Sequence, residues 1–318
     1  MKDYSNDDIL VSVVTLAYTH RNYIRQCIEG VLMQKTDFKY ELLIHDDAST
    51  DGTDVIIKEY EKAYPGIVKP VYQTDNQYSQ GVSIGPKYLY PKAQGKYIAE
   101  CEGDDYWIDP LKLQKQVDIL ESDPSLVAVA TNSEIVDKDG NQIRSEIEGV
   151  VLGNIEGRYN LRDFVHHHHS YPTASVLFKN IHSEEYDRMI AATRNPYFSD
   201  WIQWFILHLF GDFYYLNEVT TAYRINPNSV THKNTNERRL GVAKENFKVN
   251  NALKSILPPE YGDLKKELDD DAWIWYNLAR AYWHSKKYFQ SIYSLFRGFI
   301  KCPHQLFIEL GKILKHRK

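Results

Sequence analysis

Over residues 9–72 short apolar runs alternate with segments of helical period, and few folds accommodate that order. Residues 9–16 form an apolar run suited to a strand buried on both faces of a parallel sheet. Residues 23–34 then place Ile24, Cys27, Ile28, Val31 and Leu32 at helical spacing. A second strand is predicted over 40–45, a helix over 55–64 and a third strand over 67–72. Strand, helix, strand, helix at these lengths implies an α/β chain with a doubly wound sheet flanked by helices. Ligands of such sheets bind beyond the carboxyl ends of the strands, which puts residues 16–20, 46–53 and 102–109 on one edge.

That edge is acidic. Residues 96–101 read as a further strand, and Glu102-Gly103-Asp104-Asp105-Tyr106-Trp107-Ile108-Asp109-Pro110 follow it directly. Three carboxylates crowded at a strand end repel one another unless a cation sits among them, which points to a divalent metal holding a phosphate. Asp46-Asp47-Ala48-Ser49-Thr50-Asp51-Gly52-Thr53 closes the second strand. Ser49, Thr50 or Asp51 is expected to cap the helix that follows, and carboxylates favour a helix N-terminus. Capping leaves the adjacent Asp46 and Asp47 unexplained, whereas a carboxylate there can accept the imide N–H of uracil or thymine.

The 318 residues allow one large domain plus a smaller one. A formal net charge of -5 lacks the basic excess of a nucleic-acid binder, so nucleic acid is not an expected partner. Cys27, Cys101 and Cys302 have neither the number of a disulfide framework nor the spacing of a zinc site, as fits a reducing compartment. Residues 1–8 are polar and acidic, unlike a signal peptide. The apolar stretch 201–216 is broken by Gln203, His208, Gly211 and Asp212 and falls short of a membrane span. A cytoplasmic protein is the expectation.

Four motifs stand in order: Val11-Ser12-Val13-Val14-Thr15-Leu16-Ala17-Tyr18; Asp46 to Thr53 as above; Ala93-Gln94-Gly95-Lys96-Tyr97-Ile98-Ala99; and Glu102-Gly103-Asp104-Asp105-Tyr106-Trp107. Together this series resembles the ordered signature of family 2 glycosyltransferases, and the resemblance runs less sharply to about Asn226. It implies the GT-A fold, a doubly wound mixed sheet flanked by helices. It also implies inverting transfer of a sugar from a nucleoside diphosphate, UDP-linked, to a saccharide or lipid-linked saccharide hydroxyl in surface polysaccharide synthesis. Mn²⁺ or Mg²⁺ would neutralise the leaving diphosphate.

By this resemblance Leu16, Tyr18, Asp46, Asp47, Lys87, Glu102, Gly103, Asp104 and Asp105 surround the donor, with Asp47 reading the base, Tyr18 lining the nucleotide pocket and Asp105 either touching the sugar or simply turning the loop. Asp104 stands as the metal-side ligand. The longer Glu102, where the family usually has Asp, either shares the metal or contacts ribose or a metal-bound water. Ala17-Tyr18-Thr19 replaces the usual Thr-Tyr-Asn, and Lys87 is the basic residue nearest a missing Arg-Asn. The catalytic base implied is Asp200, in Asn195-Pro196-Tyr197-Phe198-Ser199-Asp200-Trp201-Ile202-Gln203-Trp204, ahead of a strand pair over 213–216 and 219–225. Simple capping by Ser199 or Asp200 is the alternative.

Other features have plainer readings. Consecutive residues point different ways, so at most two of His166, His167, His168 and His169 can share an ion; solvated loop histidines lining an acceptor cleft are expected. Arg224 meets either a phosphate or a structural acid. Asp109-Pro110 opens a helix whose Leu111, Leu113, Val117 and Leu120 face the core, and Val136 to Asn141 read as a hairpin turn.

The expected division is a GT-A domain over 1–235, with a nucleotide-sugar half at 1–110 and an acceptor half at 111–235, then a helical tail over 236–318. Pro227-Asn228-Ser229 and the polar run 231–239 form the linker. In the tail Trp275, Leu278, Ala279, Tyr282, Ser291, Leu295, Gly298 and Pro303 have the spacing of one tetratricopeptide-like hairpin. Its basic end, with Arg297, Lys301, Lys312, Lys315, His316, Arg317 and Lys318 among apolar residues, suggests peripheral contact with anionic membrane. The rival reading is a non-catalytic relative serving as a nucleotide-binding or assembly module, which Glu102, Ala17 and Thr19 would suit. A sugar nucleotidyltransferase would need a Gly-rich basic N-terminal loop, which is absent.

Overall fold

The first apolar run forms strand β1 (Ile9–Ala17), with Val11, Val13, Val14 and Ala17 buried. Its polar members Ser12 and Thr15 are buried too. Ser12 Oγ donates to Glu41 Oε1 at 2.7 Å, the same oxygen accepts the Gln94 amide, and Lys69 Nζ meets Glu41 Oε2 at 2.6 Å. A buried carboxylate satisfied from three neighbouring segments ties the parallel strands together rather than weakening them. These coordinates are a computed structural model that describes residues 8–148, 150–167, 169–181, 183–195, 197–225, 235–269 and 272–301. By its internal packing the chain divides into two units, Met1–Asp187 with Trp204–Asn226, and Arg188–Gln203 with Pro227–Lys318.

In the first unit helix α1 (Ile24–Leu32) buries Ile24, Cys27, Ile28 and Val31, the stripe expected from helical spacing. Then come β2 (Lys39–Asp46), α2 (Thr53–Ala63), β3 (Val68–Tyr72), β4 (Tyr97–Glu100), β5 (Tyr106–Trp107) and α3 (Lys112–Ser122). After these lie β6 (Leu126–Val136), β7 (Gln142–Arg144), β8 (Gly157–Tyr159), α4 (Leu161–His166), β9 (Leu177–Lys179), α5 (Glu184–Thr193), α6 (Ser199–Leu207) and β10 (Asp212–Arg224), with α5 from Arg188 and α6 to Gln203 counted in the second unit. The strand order is β3-β2-β1-β4-β9-β6-β10-β5, with β7 on β6 and β8 on β10. Pairs β3/β2, β2/β1, β1/β4 and β6/β10 are parallel, and the rest antiparallel, so the sheet is mixed as expected.

Residues 101–105 carry the chain from β4, beside the central β1, to β5 at the far end of that order. This link is a turn and not an extended segment, because Gly103 N donates to Leu16 O and Asp105 N to Glu102 O, both at 2.9 Å. The sheet therefore curls back on itself, and the backbone of Trp107 comes within 2.9 Å of where a Cβ on Gly30 would lie.

Three expectations are corrected. The strand pair over 213–216 and 219–225 is one strand, β10, whose register against β6 shifts between Tyr215 and Thr221; the polar Asn217-Glu218 mark a bulge, not a turn. Leu111 lies one residue ahead of α3 and is 43% exposed, so the core stripe begins at Leu113. His169 is buried against Tyr159 and Tyr171, while His166 and His167 are exposed; His168 lies outside the described residues. The turn over 136–141 is present between β6 and β7, held by Asp137.

Lys112 is fully buried, with its ammonium over the Trp107 ring and donating to Gln116 Oε1. Burial lowers its pKa to about 7, against the charges of Cys101 and Asp109. Between about pH 7 and the ordinary lysine range the unfolded chain binds a proton that the native chain does not, so stability rises with pH across that window. With a slope near 1.4 kcal/mol per pH unit, the urea unfolding free energy is expected to rise by about 1 kcal/mol between about pH 7.5 and 8.5. In Lys112→Met this rise should vanish; an identical rise in the variant would assign it elsewhere.

The second unit holds α7 (Asn236–Ile256), α8 (Gly262–Asp269), α9 (Ala272–His284) and α10 (Tyr288–Lys301). Leu240 and Ala243 of α7 pack on Leu278 and Ala281 of α9, with Phe247, Trp275 and Tyr282 around them. Segment 188–203 belongs here: Asn195 Nδ2 donates to Glu245 Oε2 at 2.9 Å, and the Arg238 guanidinium lies over the Tyr197 ring. Asp200, the base implied by resemblance, sits in the second unit. The helical hairpin of α9 and α10 is present; Cys302, Pro303 and the basic residues 312–318, like linker residues 226–234, lie outside the described residues.

Candidate active site

Two strand-end loops of the first unit are stitched together by the residues that sequence assigned to helix capping. Thr19 N donates to Ser49 Oγ (3.0 Å), His20 N to Thr53 Oγ1 (2.9 Å) and Arg21 N to Asp51 Oδ2 (3.0 Å). Arg21 also donates from its guanidinium to Asp51 O (3.0 Å). The actual N-cap of α2 is Gly52, at φ 94 with no side-chain cap, a backbone state glycine adopts without penalty. The capping expectation for Ser49, Thr50 and Asp51 is corrected accordingly. Asp51 does accept the Thr53 amide and hydroxyl, but its other oxygen reaches across to the loop after β1.

The loop after β1 is bonded in turn to the acidic turn. Besides Gly103 N to Leu16 O, Cys101 N donates to Val14 O (3.0 Å) and Asp47 N to Ala17 O (2.9 Å). A Cβ on Gly103 would lie 2.7 Å from His20 Nδ1 and 3.0 Å from Leu16 O, so only glycine permits this approach. Leu16, Asp46, Asp47, Glu102, Gly103 and Asp104 are therefore gathered on one sheet edge, with Tyr18 beside them, 47% exposed.

Asp104 is partly exposed, and His20 Nε2 stands 4.0 Å from its Oδ2. Burial lowers the His20 pKa, opposed by the charges of Asp104, Asp51 and Asp46. Its buried Nδ1 has no hydrogen-bond partner among the described residues. Sequence reasoning passed over His20, since a single histidine after a strand makes no pattern. Only its position two residues past Tyr18, opposite an acidic strand end, marked it out.

Asp46 is buried, its Oδ1 lacks a partner among the described residues, and burial raises its pKa against hydrogen bonds from Ser49. Asp47 instead accepts the amides of Gln77 (2.7 Å) and Tyr78 (3.0 Å), one on each oxygen, which hangs the turn at 76–80 from the end of β2. Each oxygen keeps a second lone pair for a ligand N–H.

Asp105 and Arg224 depart from expectation. Asp105 is 2% exposed; burial, and then the charge of Asp104, raise its carboxyl well above the usual range, against the pull of Arg224. Its Oδ1 accepts the Arg224 backbone N–H at 2.8 Å, so it is an internal brace rather than a sugar contact. The Arg224 side chain is committed as well, donating to Asp104 O, Asp137 O, Lys138 O and Gln26 Oε1, which leaves it no reach to a phosphate. Lys87 is exposed, with its ammonium over the Tyr88 ring, which stacks on His45.

No group of three or more His, Cys, Asp or Glu side chains poised to hold a metal occurs among the described residues. The donor set at the acidic turn is two hard carboxylates, Glu102 and Asp104, with no thiolate at the edge. That set fits Mn²⁺ or Mg²⁺, which take one or two protein carboxylates and complete their coordination with substrate phosphate and water.

The model of the family described as "Glycosyl transferase family 2" matches residues 12–185. The chain belongs to glycosyl transferase family 2. This family 2 chain is 41% identical over 130 residues to an uncharacterised protein of Mycobacterium tuberculosis, covering 41% of the chain and 37% of that protein. It is 38% identical over 111 residues to the putative teichuronic acid biosynthesis glycosyltransferase TuaG of Bacillus subtilis, covering 35% of the chain and 42% of TuaG. The matches thus span less than half the length of these relatives. Among solved structures, S. aureus TarS residues 1–349 in complex with UDP-GlcNAc superposes with a TM-score of 0.55 at 13% identity, covering 90% of each chain. At that identity the likeness shows the fold alone, which is the GT-A arrangement expected from the four motifs.

Proposed function

We propose that this family 2 member is an inverting, metal-dependent glycosyltransferase that moves a sugar from a UDP-linked donor to a saccharide or lipid-linked saccharide hydroxyl. The supporting observation is the bonded edge that brings Leu16, Asp47, Glu102 and Asp104 together with His20 behind them. The names of its relatives, teichuronic acid biosynthesis among them, favour a surface polysaccharide. Lipid-linked acceptors of that kind would bring the protein to the inner face of a membrane, and no described helix is long and apolar enough to cross one.

In this reading Asp47 accepts the imide N–H of the base through its spare lone pairs, and Tyr18 lines the nucleotide. Glu102 and Asp104 would hold Mn²⁺ or Mg²⁺, which would supply positive charge against the leaving diphosphate. The acceptor oxygen attacks the anomeric carbon from the face opposite the diphosphate. The C–O bond to phosphate breaks with its electron pair going to the diphosphate, the acceptor proton passes to Asp200, and the configuration inverts. His20 Nε2 lies 4.0 Å from Asp104 Oδ2, and burial lowers its pKa.

The test is thermal melting of the purified protein with UDP, dTDP, GDP or CMP, each with and without Mn²⁺. A ligand that binds only the native state raises the melting point, by about 2.7 kcal/mol of stability at a hundredfold excess over Kd. A Mn²⁺-dependent rise with UDP, lost in Asp104→Asn, is the expected result. No rise with any nucleotide would sink the donor-site reading and leave the assembly-module alternative.

A further inference from the structure

Helix α10 carries its small residues inward and its large apolar ones outward. Ser291, Ser294 and Gly298 are buried, and Ser291 Oγ donates to Ala279 O of α9 at 2.8 Å. The opposite face presents Phe289 (81% exposed), Ile292 (63%), Tyr293 (51%), Phe296 (59%) and Ile300 (59%), with Trp283 at the end of α9 exposed as well (57%). Isolated exposed apolar residues are ordinary, but five on one helix face at positions i, i+3, i+4, i+7 and i+11 make a continuous stripe that calls for a partner.

The hairpin that carries the stripe has charge of one sign. Residues 272–301 contain Arg280, Lys286, Lys287, Arg297 and Lys301 and no Asp or Glu, in a chain whose net charge is -5. We infer that the outer face of α10 docks on an anionic phospholipid surface, with its aromatic and aliphatic side chains in the headgroup–acyl boundary and the cations on lipid phosphates. Aromatic and aliphatic residues backed only by cations are the composition that such a boundary selects. A two-fold pair of copies meeting through the same face would instead oppose cations with cations. The inference rests on the transferase reading only for its purpose, since docking here would hold the enzyme where lipid-linked acceptors lie.

Flotation of the full-length protein with vesicles of phosphatidylcholine alone, or of equimolar phosphatidylcholine and phosphatidylglycerol, tests it. Binding to the anionic vesicles is expected, at least tenfold weaker on neutral ones and falling as salt screens the cations. Phe289→Asp with Phe296→Asp should lower anionic binding by about tenfold or more while leaving the melting temperature unchanged. Lys287→Gln with Arg297→Gln, which keeps the apolar stripe, should lower anionic but not neutral binding, by about tenfold. Nucleotide-induced stabilisation should survive in both variants, so a failure of docking is separable from a failure of the donor site. The inference is overturned if the protein shows no preference for anionic vesicles, or if both variants bind as the wild type does. It is likewise overturned if light scattering shows a dimer that Phe289→Asp with Phe296→Asp dissolves, since the stripe then covers a second copy.

Discussion

Asp200→Asn is expected to lower sugar transfer by about 10²–10⁴-fold, the contribution typical of a positioned general base. Asp200 lies in the first turn of α6, exposed, with Ser199 Oγ donating to its Oδ1 at 3.0 Å. Asn keeps the size and the hydrogen bond but takes no proton, so the fold should be unaffected. The melting-point rise given by UDP and Mn²⁺ should persist, because the groups proposed to hold the donor belong to β1, β2 and the turn after β4. The measurement is a pair, single-turnover product formation and nucleotide-induced stabilisation. Loss of the first with retention of the second is the signature of a base; undiminished transfer would direct the search to another acid.

Gly95→Ala is expected to be the most damaging small substitution in the first unit. A Cβ there would lie 2.5 Å from Ser12 N, 2.8 Å from Tyr97 O and 2.8 Å from Val11 C, all backbone atoms of the central strands. The glycine cannot back away, since its N–H donates to Ser12 Oγ and its carbonyl accepts from Asn180 Nδ2. Forcing β1 and β4 apart should cost about 3 kcal/mol or more. For a domain of this size that lowers the melting temperature by roughly 6–12 °C. Gly66→Ala, where nothing lies within 4 Å, is the control and should change little. Comparable stability of the two variants would mean that the strands adjust more freely than their bonding suggests.

The parts of this architecture that were legible in sequence share a physical cause. Strands buried on both faces must be apolar almost throughout, so β1 and β2 announce themselves, and helix α1 shows its stripe because only one face meets the sheet. Asp46, Asp47, Glu102 and Asp104 stood out because strand ends offer carboxylates no packing reason to cluster. What sequence concealed is held by contacts between distant residues. Ser49 and Asp51 resemble caps, and only the folded chain shows them, with Thr53, paired with a loop 30 to 33 residues earlier. Asp105 looked like a ligand because its neighbours are candidate ligands, yet the backbone turns it inward to Arg224. The break expected between 216 and 219 is a bulge within β10, because whether a polar pair such as Asn217-Glu218 interrupts a strand or bulges from it depends on the facing strand β6.

Arg224 also carries a consequence for how the protein is made. The acidic turn at 102–105 is held by a residue that leaves the ribosome 119 or 120 positions later, at the end of the strand that also pairs with β5. A nascent chain that has only just emerged past β4 and β5 therefore lacks the brace on Asp104 and Asp105. Premature termination between residues 107 and 224 would release a fragment that holds all four motifs and lacks the bonds from Arg224 to Asp104 O and Asp105 Oδ1. The acidic turn is thus completed near the end of this unit's synthesis, by a residue that none of the four motifs contains.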